Sequence, residues 1–544
     1  MSDMLMTSKF PELVFGIAGP IGVDVDAITD SLTNALRAVR YNAHTIKLTT
    51  EMLGFPATVT KPTETDFFSE VSFKIEYANA LCAEQHDGAT FARIGMLAIN
   101  RKRGELTGNP ETVSEQTAFI IRQLKRPDEV NLLRRVYGKQ FILISAYGSA
   151  EQRKKLIEIK LKRSLSPLAH STEISCKADI LITRDASEEG EEYGQQLRET
   201  FPLADVFIDG ISKQEMDLKL NRFIDAFFGR TDIAPSKDEY GMYAAKSASL
   251  RSSDLSRQVG AAIFSCDGEL ITQGCNEVPK AFGGTYWDLE EPDFRDVRIG
   301  HDPNEVLKKE LLRDLFERLS RAELLSDKAS KLGSPAEIIE ALTRKGKSGS
   351  SSNENGALVG ALVMDLTEYG RVVHAEMCAI CDAARLGRSL KGATLYGTTF
   401  PCHNCTKHIL AAGIRRVVYM EPYPKSRAKD LHENEIEIEQ ESQTRVSFVP
   451  FLGISPYRYR DIFQKGKRKN SDGTAKRWYA GEPQPLVDVV APSYIDLELT
   501  SIIPFVGAIE GKQDGQTAQP NDPSQSEKTE PPSDTANDKE QIPA

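Results

Sequence analysis

Two short segments in the C-terminal half restrict what this chain can fold into more than any others: His374-Ala375-Glu376 and Pro401-Cys402-His403-Asn404-Cys405. One imidazole and two thiols are donors that a tetrahedral zinc ion selects, and three protein donors leave its fourth corner open for chemistry. His374 and Cys402 are 28 residues apart, so the chain between them must leave the metal and return to it. One helix from His374 through Ala384 followed by one strand, Ala393–Thr399, is the right length for that excursion. It brings the N-terminal ends of two helices to the same edge of a sheet, where their dipoles are positive. Glu376, two residues beyond the imidazole, then becomes a carboxylate beside the metal rather than a ligand to it.

Other candidate donors near this motif have simpler accounts. Cys378 and Cys381 stand one turn apart on the Glu376 helix, where a free cysteine is most simply a packing residue. His403 and His408 are not needed for coordination. Phe400 can line a pocket or belong to the core.

Ahead of the motif, a helix from Tyr240 to about Leu250 precedes a strand at Arg257–Phe264. Asp267-Gly268 is a hairpin turn signal, and Leu270–Gly274 is the returning strand, which ends at Cys275-Asn276-Glu277. Arg257, at the start of the hairpin, either meets a phosphate or is a solvated strand end. Between the hairpin and His374 lies an insertion, about 283–356, with a charged helix at Asp302–Arg321 and the flexible composition Gly346–Ser352. It reads as a cover for substrate or an oligomer contact. After the motif, Arg415–Met420 is a further strand, followed by Tyr423-Pro424-Lys425-Ser426.

The N-terminal half has a different rhythm. Leu13–Ala18 is a short apolar run that reads as a buried strand. Gly19-Pro20-Ile21-Gly22 turns, and Ile28, Leu32, Leu36 and Val39 mark one face of a helix. Strand, glycine turn and helix is the layout that cradles phosphate on backbone amides. Gly16, Gly19 and Gly22 are therefore the candidate nucleotide-binding positions. A scaffold that keeps the turn for packing is the other reading, because Val23-Asp24 and Asp26 stand where a phosphate-binding lysine and a magnesium-binding hydroxyl would be. Further strands are expected at Ala43–Leu48, Gln140–Ala146, Ala178–Arg184 and Ala204–Asp209, giving a parallel sheet covered on both faces. Arg101-Lys102-Arg103 and Arg134-Arg135 are basic clusters that either face solvent or meet phosphates.

The spaced His-x-Glu and Pro-Cys-x-x-Cys segments are the signature of zinc nucleobase deaminases. The order of helix, hairpin, zinc helix, strand and second zinc helix resembles the cytidine deaminase fold, and Ser256–Asn276 resembles its deoxycytidylate branch. Gly16–Gly22 resembles the opening of the P-loop of small nucleotide kinases. Taken from Leu13 to Phe463, the chain resembles the bacterial anti-phage deoxycytidylate deaminases, which join an N-terminal P-loop-like domain to a C-terminal deaminase domain.

That resemblance implies an α/β protein: a P-loop-kinase-like parallel sheet over 1–235, and a three-layer α/β/α cytidine-deaminase domain over 236–470. An extension over 471–510 follows, with Leu486–Val490 and Ile495–Leu499 as possible strands, and then a disordered tail over 511–544. It implies Zn²⁺ on His374, Cys402 and Cys405, with Glu376 moving protons while water attacks C4 of a cytosine ring. It implies that Asn276 meets the nucleotide sugar and that Tyr423 and Lys425 close over base and phosphate. The substrates implied are free dCMP and dCTP, depleted as dUMP and dUTP during phage infection. Control by a small regulatory RNA and assembly into homo-oligomers are implied as well.

Composition fits these expectations. At 544 residues the chain exceeds one core. No stretch approaches the ~18 apolar residues of a membrane span, and the first residues lack the basic-then-apolar layout of a secretory signal. Eight cysteines, two of them in Cys402-x-x-Cys405, suit a reducing cytoplasm. The formal net charge of −11 leans away from nucleic acid as the main partner, although three lysines and seven acidic residues from Gly511 onward account for −4 of it. Tyr457–Trp478 runs against that trend, with eight basic residues and two acidic ones. It leaves room for an RNA- or DNA-editing deaminase of cytosine or adenine, which needs a basic, aromatic groove. A non-catalytic zinc-bearing regulator that binds nucleotide or RNA is the remaining alternative; Glu376 argues against it, since a structural zinc has no use for that carboxylate.

Overall fold

The computed structural model describes residues 9–517 apart from 166–169, 189–190, 192, 345–354, 424, 477, 479–482 and 488–492. The Gly346–Ser352 segment, most of the Leu486–Val490 run and residues 518–544 of the tail lie outside the described residues.

The first half alternates apolar strands with helices. β1 (Leu13–Ala18), β2 (Asn42–Lys47), β3 (Thr117–Arg122), β4 (Phe141–Tyr147) and β5 (Val206–Asp209) form a parallel sheet in the order β5-β4-β1-β3-β2. β1 is buried along its whole length, and the helix Val25–Ala38 leaves the turn after it with Asp24 capping its first turn.

The sequence pattern did not single out β3, although it sits beside the central strand. Its apolar run is short enough to suit helix or strand by periodicity alone.

Two expected strands are helices. Ala178–Arg184 lies within the helix Ser171–Ala186, where Ile174, Ala178, Leu181 and Asp185 share the buried face and Ile180 is 47% exposed. Spacings of four, three and four residues follow the helical period, and the local Ile-Leu-Ile run had masked them. Ile495–Leu499 lies within the helix Ser493–Thr517, which buries Tyr494, Glu498, Ile502 and Phe505 and leaves Leu497 47% exposed. The same helix takes in residues 511–517, the first part of the tail expected to be disordered.

The second half builds its own sheet from β6 (Gly260–Phe264), β7 (Leu270–Cys275), β8 (Thr394–Thr399), β9 (Arg416–Glu421), β10 (Ile436–Ile438) and β11 (Val446–Pro450), in the order β10-β11-β9-β8-β6-β7. β6 runs antiparallel to β7 and β8, whereas β8, β9, β11 and β10 are parallel. Two glycines admit a helix on each face. A Cβ on Gly260 would lie 2.6 Å from the Ser249 nitrogen, on the helix Lys237–Ser249. A Cβ on Gly274 would lie 2.5 Å from the Ala375 carbonyl, on the helix Ala375–Arg385. Helix, sheet and helix are the three layers expected for this half.

The halves share one core. Met242, Ala245, Ala262, Phe264, Val418 and Met420 belong to the same apolar cluster as the first sheet. The opposite face of the second sheet packs Ala261, Ile263, Leu395 and Val417 against Ala375, Ala379 and Ile409, beneath the metal-binding motif. One strand crosses between the halves: β12 (Gly453–Ile454) pairs antiparallel with β5. Behind it, Arg458 reaches Asp205 at 3.0 Å and the Phe141 carbonyl at 2.6 Å. No helix among the described residues is long and apolar enough to cross a membrane.

Candidate active site

The first motif helix packs on β7 and the second follows directly from β8. His374 is the N-cap of the helix Ala375–Arg385, and Cys402 is the N-cap of the helix His403–Ala411. Both caps have extended backbone geometry, which turns their side chains back over the helix start. Cys402 Sγ lies 3.3 Å and Cys405 Sγ 3.5 Å from His374 Nδ1, and the three donor atoms fall within 4.8 Å of one another. One nitrogen and two sulfurs converging in this way fit zinc. Glu376, in the first helical turn, is buried with Oε2 3.6 Å from Cys405 Sγ.

The cluster holds its protons unevenly. Hydrogen bonding from Cys405, together with His374, pulls the Cys402 thiol down to about 4, against the opposing effect of burial. Cys405, bonded to that sulfur, buried and beside Glu376, is held well above the ordinary thiol range. The bond to Cys402 raises His374, and burial raises Glu376 above the ordinary carboxylate range.

The other donors near the motif fall away. Cys378 is buried with its thiol pushed up to about 11 by burial, whereas Cys381 is exposed. His408 Nδ1 lies 2.8 Å from the Asn404 carbonyl, and neither His403 nor His408 joins the metal cluster. Phe400 does both things expected of it: it lines the site's cavity and packs edge-on against Tyr419.

A cavity of about 240 Å³ opens onto His374, Glu376 and Cys402. Three of the four predicted substrate residues line it: Arg257, Asn276 and Tyr423. Asn276 binds the loop before β6 at both ends of its amide, taking a hydrogen bond from the Val259 nitrogen at 2.7 Å and giving one to the Arg257 carbonyl at 2.8 Å. Arg257 lies before β6 rather than in it, over the Tyr423 ring and 3.9 Å from Glu421. Lys425 is placed differently. It pairs with Asp365 at 2.5 Å and lines an adjoining groove with Arg198 and Tyr457.

The insertion and the segment that follows it up to His374 supply a wall of the cavity. Asp296, Asp302, Asn304, Thr367 and Arg371 line the cavity, as does Asp254 from the loop before β6. Asn304 staples the insertion's return path, giving a hydrogen bond to the Leu366 carbonyl and taking one from the Tyr369 nitrogen. Val373 then pairs with Glu277 in an antiparallel bridge that leads into His374. The one available signal was that Arg371 precedes His374 by only three residues.

The N-terminal glycines occupy different environments. Gly16 is a packing residue within β1, where a Cβ would lie 2.5 Å from Leu124 Cδ1. Gly19 and Gly22 line a separate cavity of about 330 Å³, and Gly22 has φ +99°. Three amides at that turn already have protein acceptors: Ile21 donates to Asp185 at 2.7 Å, Val23 to the Pro20 carbonyl and Asp24 to the Gly210 carbonyl. Arg103 is fully buried, and Arg134 bonds to Asp205 and the Leu203 carbonyl, so neither basic cluster is wholly a solvated face.

The basic stretch 457–478 is divided: some of its residues pack into the fold, while Arg460, Lys467, Arg468, Lys469 and Lys476 are exposed. Arg458 is buried on Asp205, Tyr459 stacks on Tyr243 with ring centroids 4.0 Å apart, Lys465 donates to the Arg230 carbonyl, and Trp478 donates to the Phe228 carbonyl. Arg477 lies outside the described residues.

With the geometry in place, the comparisons with known proteins agree with it. Residues 235–421 match the cytidine and deoxycytidylate deaminase zinc-binding region, and His374, Cys402 and Cys405 lie within that match. The deoxycytidylate deaminase of Enterobacteria phage T2 is 49% identical over 55 residues, 10% of this chain and 29% of that enzyme. ComE operon protein 2 of Bacillus subtilis is 42% identical over 64 residues, 12% of this chain and 33% of that protein. The chain thus spans about a third or less of the length of these curated relatives. The dCMP deaminase of cyanophage S-TIM5, solved in complex with dCMP and dUMP, is 18% identical and covers 40% of this chain and 99% of its own; its TM-score of 0.21 is too low to relate the two folds.

Proposed function

We propose that this chain is a zinc-dependent deaminase of free deoxycytidine nucleotides, converting dCMP, dCTP or both into the uracil nucleotide and ammonia. The observation that carries this reading is Glu376, a buried carboxylate beside a His-Cys-Cys donor cluster, at one end of a walled cavity. Zinc held by His374, Cys402 and Cys405 supplies a water whose pKa is lowered to near neutrality. Glu376 takes a proton from the attacking water and gives it to N3 of the cytosine ring. It then takes the remaining proton from the oxygen now on C4 and passes it to the amine, so that C4–N breaks as C4=O forms and ammonia leaves.

Arg257, Asn276 and Tyr423 are the proposed substrate contacts, since they line the cavity that Glu376 opens onto. Lys425 has a place in this reading only if a triphosphate extends into the adjoining groove. A cavity lined by four carboxylates favours a small free nucleotide over a nucleic-acid strand, and Arg458, Tyr459 and Trp478 are taken up in the fold. Depletion of deoxycytidine nucleotides in the cytoplasm during phage infection is the cellular role proposed, on the resemblance of the two-part chain.

Ammonia release from cytidine, dCMP, dCTP, CTP and a cytosine-containing oligonucleotide tests the proposal. Turnover of dCMP or dCTP is expected, together with a loss of about 10²–10⁴-fold in Glu376→Gln at unchanged zinc content. Turnover confined to the oligonucleotide would replace the free-nucleotide reading with an editing one. Bound zinc with no ammonia from any of the five would leave a non-catalytic regulator.

A further inference from the structure

We propose that Arg371, in the segment that leads from the insertion into His374, binds the substrate phosphate, so that this segment is a substrate-recognition element. This inference deepens the deaminase reading and rests on it. Among the described residues that line the metal cavity, the permanent cations are Arg257 and Arg371. They face four carboxylates, those of Asp254, Asp296, Asp302 and Glu376. A nucleotide phosphate brings further negative charge into that lining and needs direct contact with a guanidinium. Arg257 already stands over Tyr423 and near Glu421, and Lys425 is paired with Asp365 outside the cavity.

Arg371 is held ready and is not fully used. Its Nη2 donates to the Phe294 carbonyl at 2.6 Å, which fixes the plane of the guanidinium. Its Nε is 3.7 Å from Asp296 Oδ1, within ion-pair range but beyond a hydrogen bond. The side chain remains 36% exposed, whereas Asp296 is buried and its Oδ1 has no hydrogen-bond partner among the described residues. Asp296 thus keeps the guanidinium at the cavity without occupying its donors. The supports behind it are firm: Asn304 clamps the return path at Leu366 and Tyr369, and the Val373–Glu277 bridge fixes the segment beside Asn276. Such a placement would not be needed for a solvated arginine on a loose loop.

Zinc-loaded full-length protein, wild type and with Arg371→Ala or Arg371→Lys, tests this with dCMP kinetics and calorimetric binding of dUMP. Arg371→Ala is expected to raise KM for dCMP by about tenfold to a hundredfold, the range for a lost charged hydrogen bond, with kcat within about threefold. The affinity for dUMP should fall in parallel while zinc content holds, and Arg371→Lys, which keeps the charge, should recover part of both. Unchanged KM and dUMP affinity in Arg371→Ala would overturn the assignment. So would a loss of kcat with dUMP binding intact, because Arg371 would then act by positioning the His374 segment. A wild-type protein that turns over no cytosine nucleotide sinks the deaminase reading itself, an outcome distinct from an active enzyme indifferent to Arg371.

Discussion

Replacing Arg103 with methionine should loosen the C-terminal helix from the first sheet. Arg103 lies between two carboxylates, with Nε 2.8 Å from Glu12, Nη2 2.9 Å and Nη1 3.0 Å from Glu498, and all three side chains are fully buried. Tyr494 and Tyr137 donate to Glu12 and Glu498, and the Ser114 amide donates to Glu12. Methionine fills most of the volume and removes only the charge, leaving two buried carboxylates with neutral donors. Breaking a buried ion pair from one side costs about 3–5 kcal/mol, and here one cation serves two acids.

The cost should depend on pH. Burial already raises Glu498, and hydrogen bonding from Arg103 is the first influence that opposes it. Without that opposition its folded pKa rises further above the unfolded value near ~4.3. A group of this kind favours the folded state while it is protonated, and that stability is lost as pH climbs toward the folded pKa, at about 1.4 kcal/mol per unit of difference. The deficit of Arg103→Met should therefore be larger at pH 8 than at pH 5. Urea denaturation followed by circular dichroism at both pH values measures it, and amide exchange over residues 494–505 localises it. Adding Glu12→Gln and Glu498→Gln should recover part of the loss. A variant as stable as wild type at pH 8, or with the same deficit at both pH values, would refute the reasoning.

The metal centre carries two further predictions. Zinc binding to metal-free protein at pH 7 should release at least one proton from the Cys402–Cys405 pair, because both sulfurs ligate as thiolates and Cys405 is held well above the ordinary thiol range; calorimetry in buffers of different ionisation enthalpy counts it. Gly274→Ala would put a methyl 2.5 Å from the Ala375 carbonyl and 2.6 Å from the Ala379 nitrogen. Pushing that helix off the sheet should cost about 1–3 kcal/mol and weaken zinc retention under chelator challenge, whereas wild-type retention would show that the helix start is not set by β7.

The metal motif was legible in the sequence because its chemistry is local. His374 with Glu376 and Cys402 with Cys405 each need only one helix start, and the strand between them has the expected length. The hairpin was legible through Asp267-Gly268, and β1 with its turn through the glycines that follow an apolar run. Ala178–Arg184 and Ile495–Leu499 misled because a few consecutive apolar residues carry no period. Only their buried partners, in the packed structure, select the helical face.

The sequence by itself determined the donor set, the carboxylate beside it and the alternation that yields a parallel sheet, since residue type and spacing along one or two elements suffice for those. Tertiary structure decided what lies opposite. It brought Asp296 from the insertion and Arg371 from the segment after it to the cavity of His374, turned Lys425 away toward Asp365, set Asp185 on the Ile21 amide, and joined β12 to β5. Those contacts link residues tens to hundreds of positions apart. They are fixed by which surfaces bury each other rather than by any pattern within a segment.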